Sequence, residues 1–256
     1  MQKEINKFCD TDVMEGMSSI SAVIKSMDNH NYQRKIISVY IDKSKIKSKE
    51  REISFLKRKS QMFGFSIEFT SAEAIDEMST GSSHGGIIAF CSPREIQPLE
   101  EKCIKPQGVY YMLDGVEDPY NFGYAVRSIY AAGGDGIILT PRNWMGVAGV
   151  VARSSAGTSE LIDMYVSTPE DAIRLFKKCE YKIVSAGIRN SESLFDTDLK
   201  KPLFVILGGE KRGISSKVLE MSDKIVRIDY GREFNGSLST AAATAVFAFE
   251  ILRSNK

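Results

Sequence analysis

Phe204-Val-Ile-Leu-Gly-Gly-Glu-Lys-Arg-Gly-Ile-Ser215 decides how this chain is read. An apolar run ending in paired glycines predicts a short buried strand over residues 203–207 that stops in a tight turn. Gly208, Gly209 and Gly213 carry no Cβ, so backbone amides and carbonyls can come close to a bound molecule. The pattern almost repeats. A strand expected at 224–228 runs into Ile228-Asp-Tyr-Gly-Arg-Glu-Phe-Asn-Gly-Ser-Leu-Ser-Thr240, where Gly231, Gly236 and Ser237 keep the loop lean. Two such turns close together suit a flat, polar cofactor held through the main chain.

Upstream, strands are expected at 109–113, 136–140, 161–166 and 182–186, with helices over about 122–132 and 169–179. This alternation predicts an α/β fold with a Rossmann-like parallel sheet covered by helices. The first third reads as a smaller α/β unit. Helical spacing at Met17, Ile20, Val23, Ile24 and Met27 precedes a strand at 35–41, a helix carrying Ile53, Phe55, Leu56 and Met62, a strand at 65–69, a short helix through Ala74 and Met78, and a strand at 86–91. Ser92-Pro-Arg-Glu-Ile-Gln-Pro98 and Lys105-Pro-Gln-Gly108 then break the periodicity. The expected domains are 1–95 and 108–256, with 96–107 as linker.

At 256 residues and 43% apolar content the chain is of ordinary globular composition. The apolar stretch 241–249 is too short for a bilayer, and the first residues lack a hydrophobic signal core, so a cytoplasmic protein is expected. Cys9, Cys91, Cys103 and Cys179 form no Cys-x-x-Cys pair, and His30 and His84 are the only histidines, so no metal centre is expected. A phosphate-binding Gly-x-x-x-x-Gly-Lys-Ser/Thr loop is missing, and Gly133-Gly-Asp-Gly136 follows a helix without the dinucleotide fingerprint. A net charge of +1 is low for a nucleic-acid binder, but Lys43, Lys45, Lys47, Lys49, Arg51, Lys57, Arg58 and Lys59 stand against only Glu50 and Glu52. That run is either a solvated helix face or a track for phosphates.

Three pieces occur in a set order: Asn121-Phe-Gly-Tyr-Ala-Val-Arg127, then Gly208-x-Glu210-x-x-Gly213, then Ser237-Leu238 before an Ala-rich helix. Together they resemble the SpoU/TrmH family of RNA ribose methyltransferases. The resemblance implies transfer of a methyl group from S-adenosylmethionine to a ribose 2′-hydroxyl of structured RNA, ribosomal ahead of transfer RNA. It also implies a deep trefoil knot in the C-terminal domain, which no general rule of chain topology would propose, and a homodimer built on the C-terminal helix, with Arg127 of one subunit completing its partner's site. Asn121, Arg127 and Glu210 would be catalytic, and the backbone around Gly208, Ile228 and Leu238, with Ser237 nearby, would hold the cofactor. The N-terminal unit, with Ser83-His84-Gly85-Gly86 before a strand, is similar to the family's RNA-binding domain, making His84, Lys45, Lys47 and Lys49 the expected RNA contacts. Two departures stand out: Ser239 replaces the family's asparagine, and Ile228-Asp229 replaces its Ile-Pro. They motivate an alternative, an RNA-binding relative with weak or lost catalysis.

Each residue also has a plainer role open to it. Asn121 falls where a helix N-cap would sit. Arg127 is either a solvated arginine or, with Gly123 and Ala131 one turn to either side, one that reaches into a close-packed site. A guanidinium stays protonated and is a poor base, so the role that fits is holding a phosphate beside the reacting ribose. Glu210 could cap the helix expected near Ser215 or orient the site. His84 could contact RNA or serve its own turn. The helix over 239–253 is apolar nearly all round, which implies burial or a subunit interface.

Overall fold

The computed structural model describes residues 11–29, 34–81, 84–141 and 147–256; Cys9, His30 and Ser83 lie outside them. The chain divides into two compact units, Met1–Glu95 with Trp144–Leu161, and Ile96–Asn143 with Ile162–Lys256.

In the first unit, β1 (Asp12–Glu15), β2 (Ile36–Asp42), β3 (Ser66–Thr70) and β4 (Ile87–Cys91) form a sheet of order β1-β4-β2-β3. β2 and β3 are parallel, whereas β4 pairs antiparallel with both β1 and β2. Every residue of β4 is buried, which suits a central strand covered on both faces. The helix Gly16–Asp28 turns Ile20, Val23, Ile24 and Met27 into a core with Val39, Ile41, Ile87 and Ala89. The helix Glu50–Phe63 buries only Ile53 and Leu56 and ends at Gly64, whose φ of +79° is the left-handed cap a glycine adopts freely.

Residues from much later in the chain complete this unit. The helix Ala148–Ser154 packs on β1 and on Gly16–Asp28. Gly149 allows that approach, because a Cβ there would lie 2.2 Å from the Val13 carbonyl oxygen. Arg34 lies between Asp12 at 2.7 Å and Glu160 at 2.9 Å, and Arg153 pairs with the fully buried Glu15. The expectation that 108–256 forms one uninterrupted block therefore does not describe these contacts. Small residues and buried charge pairs bind residues 148–160 to the first unit.

The second unit is an eight-stranded sheet of β5 (Gln97–Pro98), β6 (Val109–Asp114), β7 (Gly136–Leu139), β8 (Asp163–Val166), β9 (Lys182–Ala186), β10 (Glu192–Ser193), β11 (Leu203–Gly208) and β12 (Lys224–Arg227), in the order β10-β12-β9-β11-β6-β7-β8-β5. Every pairing is parallel, as the strand–helix alternation predicts. The stretch expected as a linker is part of this sheet: β5 pairs with β8, and the Leu99 amide donates to the Val166 carbonyl at 2.9 Å. β5 is only two residues long, too short for periodicity to reveal.

β6 and β11 are central neighbours, with Gly208 opposite Asp114. Alternate residues Tyr110, Met112, Phe204 and Ile206 meet Ile173 and Phe176 of the helix Pro169–Lys178, where Phe176 stacks on Phe204 at 4.2 Å. The helices Pro119–Ala131 and Thr240–Ser254 pack against each other, and the second also against β11. They bury Phe122, Ala125, Val126 and Ile129 from the first, and Thr244, Phe247, Ala248 and Ile251 from the second. Among the described residues, no helix is long and apolar enough to cross a membrane, and no three metal-ligating side chains cluster.

Candidate active site

The helix Pro119–Ala131 begins earlier than the sequence suggests. Asp118 caps it, its carboxylate accepting from the Tyr120 amide at 2.9 Å, with Pro119 in the first helical position. Asn121 is therefore not the cap but lies in the first turn, with its side chain free for another partner. Its Nδ2 donates to Glu210 Oε1 at 2.8 Å, across 89 residues of sequence.

Glu210 stands in the turn after β11, and two close approaches set that turn. A Cβ on Gly209 would lie 2.1 Å from the Gly115 carbonyl oxygen, and one on Gly208 would lie 2.7 Å from the Gly213 carbonyl carbon. The Gly209 amide donates to the Asp114 carbonyl at 2.6 Å, so the turns after β6 and β11 lie backbone against backbone. Gly213, at φ +61°, closes the second of them.

The third sequence piece reaches the same carboxylate. The Thr240 amide points at Glu210 Oε1 at 3.4 Å, and the Thr240 hydroxyl donates to the Gly208 carbonyl at 3.2 Å. Glu210 thus faces the first turns of two long helices, where a negative charge is favoured. The short helix Ser216–Met221, whose cap was one of the two roles open to Glu210, is served by Ser215 instead, accepting from the Val218 amide at 3.3 Å. Ser239 caps the helix Thr240–Ser254, accepting from the Ala242 amide at 3.3 Å, so the loss of the family's asparagine leaves the cap intact.

Arg127 is exposed and makes no side-chain hydrogen bond or ion pair among the described residues. Only half of the expected stripe of small residues shares its surroundings: Ala131, one turn on, is exposed like Arg127, whereas Gly123 is buried, and the exposed Tyr124 and Tyr130 also lie one turn to either side.

Gly208 ends β11, and Ile228 follows the last residue of β12. Ser237 and Leu238 are exposed, and the Leu238 amide donates to the Tyr230 hydroxyl at 3.2 Å. All of these residues stand at or beyond the carboxyl ends of β11 and β12, the parallel strands that flank β9, where open α/β sheets bind ligands. By the same rule the turn after β9 belongs with them, and its Ile188 is 78% exposed. The sequence reading missed Ile188 and Tyr230, each an exposed side chain two residues past an expected strand end, and Phe234 further along the second loop.

In the first unit, Lys45 and Lys47 are exposed and Lys49 pairs with Glu52 at 3.2 Å. Both ring nitrogens of His84 are engaged. Nδ1 accepts from the Gly86 amide at 3.1 Å, and Nε2 lies 2.9 Å from Asp76 Oδ1. Of the two roles open to His84, the structure displays the one internal to its turn.

The sequence pattern of the SpoU rRNA Methylase family matches residues 108–249. The chain belongs to the SpoU rRNA methylase family. Among its relatives, the 23S rRNA (guanosine-2'-O-)-methyltransferase RlmB of Shewanella oneidensis is 29% identical over 96% of this chain and 98% of its own length. The putative TrmH family tRNA/rRNA methyltransferase YacO of Bacillus subtilis is 25% identical over 94% of this chain and 95% of its own. The fold is also that of the AdoMet-bound rRNA methyltransferase of Sinorhizobium meliloti, at a TM-score of 0.78 and 22% identity over 99% of this chain and 90% of that one. Membership of the SpoU family accounts for the order of the three sequence pieces, and in this chain Glu210 brings Asn121 and Thr240 together.

Proposed function

We propose that this chain methylates a ribose 2′-hydroxyl of structured ribosomal RNA with S-adenosylmethionine, using Asn121, Arg127 and Glu210. The observation that carries this reading is the single carboxylate of Glu210, which receives the Asn121 side chain and faces the Thr240 amide, joining all three sequence pieces at the carboxyl end of β11. S-adenosylmethionine, when bound, supplies a methyl group on a positively charged sulfur. The residues present suit it: with Gly208 and Gly209 packed backbone to backbone against Gly213 and Gly115, the main chain at the end of β11, together with that of Ile228, Ser237 and Leu238 beyond β12, would hold the cofactor without side-chain bulk. Glu210 orients Asn121 and the first turn of the last helix. Arg127, exposed on the same helix as Asn121, holds an RNA phosphate beside the reacting ribose through its two-pronged guanidinium, and that phosphate or a water takes the hydroxyl proton.

The reading extends to a trefoil knot in the second unit. Its support is the path of the chain, which leaves β12, meets the turn after β11 at Thr240, and then packs on Pro119–Ala131. It extends to a homodimer too, for which the exposed Tyr124, Tyr130 and Phe249 on the two packed helices offer an apolar face. Relatives named for ribosomal RNA favour that substrate over transfer RNA. Ser239 keeps the helix cap without supplying the asparagine's amide, so the weak-catalysis alternative is decided by methyl transfer itself.

The test is calorimetric binding of S-adenosylmethionine to the purified protein, followed by radiolabelled methyl transfer to unmodified 23S rRNA transcript and to total RNA. Labelled ribose is the expected outcome; binding without transfer to either pool would leave the weak-catalysis reading in its place. For the first unit, Lys45→Gln with Lys47→Gln is expected to flatten the salt dependence of RNA affinity by roughly one to two slope units, since each contacted phosphate contributes about one. Lys49→Gln should change it less, because Glu52 already holds that ammonium. Filter binding across a potassium chloride series measures both, and an unchanged slope in the double variant removes the phosphate track.

A further inference from the structure

We infer that the loop between β12 and the Thr240–Ser254 helix is a stacking platform whose Phe234 receives a nucleobase of the RNA being methylated; this rests on the proposed RNA methyl transfer. Phe234 is 56% exposed and Tyr230 41%, a pair of aromatic rings left in water in edge-on contact at 5.5 Å. The loop itself holds them. The Tyr230 hydroxyl accepts from the Leu238 amide at 3.2 Å, closing the loop across its neck. The tip of the Phe234 ring lies over Gly236, where a Cβ would sit 2.5 Å from Cζ. A ring already fixed in this way loses little freedom when a base stacks on it.

Ile228 and Leu238, assigned to the cofactor, stand at the two ends of the loop, and Phe234 lies between them in an unbroken run of exposed residues. The far end of the loop runs through Ser239 into Thr240, whose contacts with Glu210 and Gly208 build the site. A platform there presents a base next to the chemistry. Charge supports stacking as the mode of contact: Asp229 is committed to Arg227 at 2.8 Å, and the remaining loop charges, Arg232 and Glu233, balance. Arg232, exposed between the two aromatics, can follow the phosphate adjoining the stacked base.

The full-length protein tests this with unmodified 23S rRNA transcript, measured by filter binding across a potassium chloride series, and with S-adenosylmethionine, measured by calorimetry. Phe234→Leu keeps the apolar volume but removes the π-face, and is expected to weaken RNA binding about tenfold. The salt slope and the S-adenosylmethionine affinity should stay as in the wild type, and Phe234→Trp should bind RNA as the wild type does. RNA affinity unchanged in Phe234→Leu would overturn the inference. Loss of S-adenosylmethionine affinity in that variant would do the same, assigning the ring to the cofactor. A wild-type protein that binds the transcript without methylating it would end the enzyme reading while leaving the Phe234 comparison decisive; one that binds no RNA would end both.

Discussion

Arg127→Lys is expected to lower single-turnover methyl transfer on the order of 10²-fold, with S-adenosylmethionine affinity and thermal stability unchanged. The substitution preserves the charge and most of the length, so electrostatic attraction to RNA survives. What is lost is the planar fork that grips two phosphate oxygens at once and fixes the position of the ribose. Stability should not move, because Arg127 is exposed and makes no side-chain hydrogen bond or ion pair among the described residues for lysine to break. The readout is transfer at saturating RNA, which separates turnover from RNA affinity. A lysine variant that turns over like the wild type would remove Arg127 from the positioning role and return it to the status of a solvated residue.

Glu15→Ala should cost about 3–5 kcal/mol of stability, the range found when one partner of a buried charge pair is removed. Glu15 has no exposed side-chain surface and serves several donors. Oε1 accepts from the Thr80 amide and hydroxyl, both at 2.7 Å, and from the Gly81 amide at 2.9 Å, while Oε2 meets Arg153. Alanine takes this acceptor from the Thr80 and Gly81 donors and removes the carboxylate that pairs with Arg153. Glu15→Gln should cost less, since a carbonyl oxygen replaces one acceptor although the charge is lost. Thermal and urea unfolding measure the difference, and hydrogen exchange at Thr80, Gly81 and Arg153 shows whether the loss is local to this clamp. An alanine variant as stable as the wild type would mean that water reaches the site and replaces the carboxylate.

The contrast between these two residues shows where a sequence can be read and where it cannot. Arg127 was found because its sequence neighbours carry a pattern. Glu15 shows no pattern, because its partners lie 65 to 138 positions away and become neighbours only through the sheet and the helix Ala148–Ser154. Asn121 falls between the two. Its importance was visible, but the capping role that was its plainer alternative belongs to Asp118, and its actual partner, Glu210, is 89 residues on. Pro119 pointed to an early helix start, and local propensity could have given the cap to Asp118; nothing local could have supplied Glu210.

By itself the sequence determined the strand–helix alternation of the second unit, its parallel sheet, the low-bulk turns after β11 and β12, and the family. These follow from side-chain periodicity and from the freedom of glycine, both properties of neighbouring residues. Only the tertiary structure decided the mixed pairing of the first sheet, the joining of residues 148–160 to that unit, the incorporation of 97–98 as an edge strand, and the meeting of Asn121, Glu210 and Thr240. Each of these is a contact between distant segments. Its free energy comes from burial, charge pairing and backbone hydrogen bonds formed across space, and a linear pattern of residues carries no record of which distant partner will supply them.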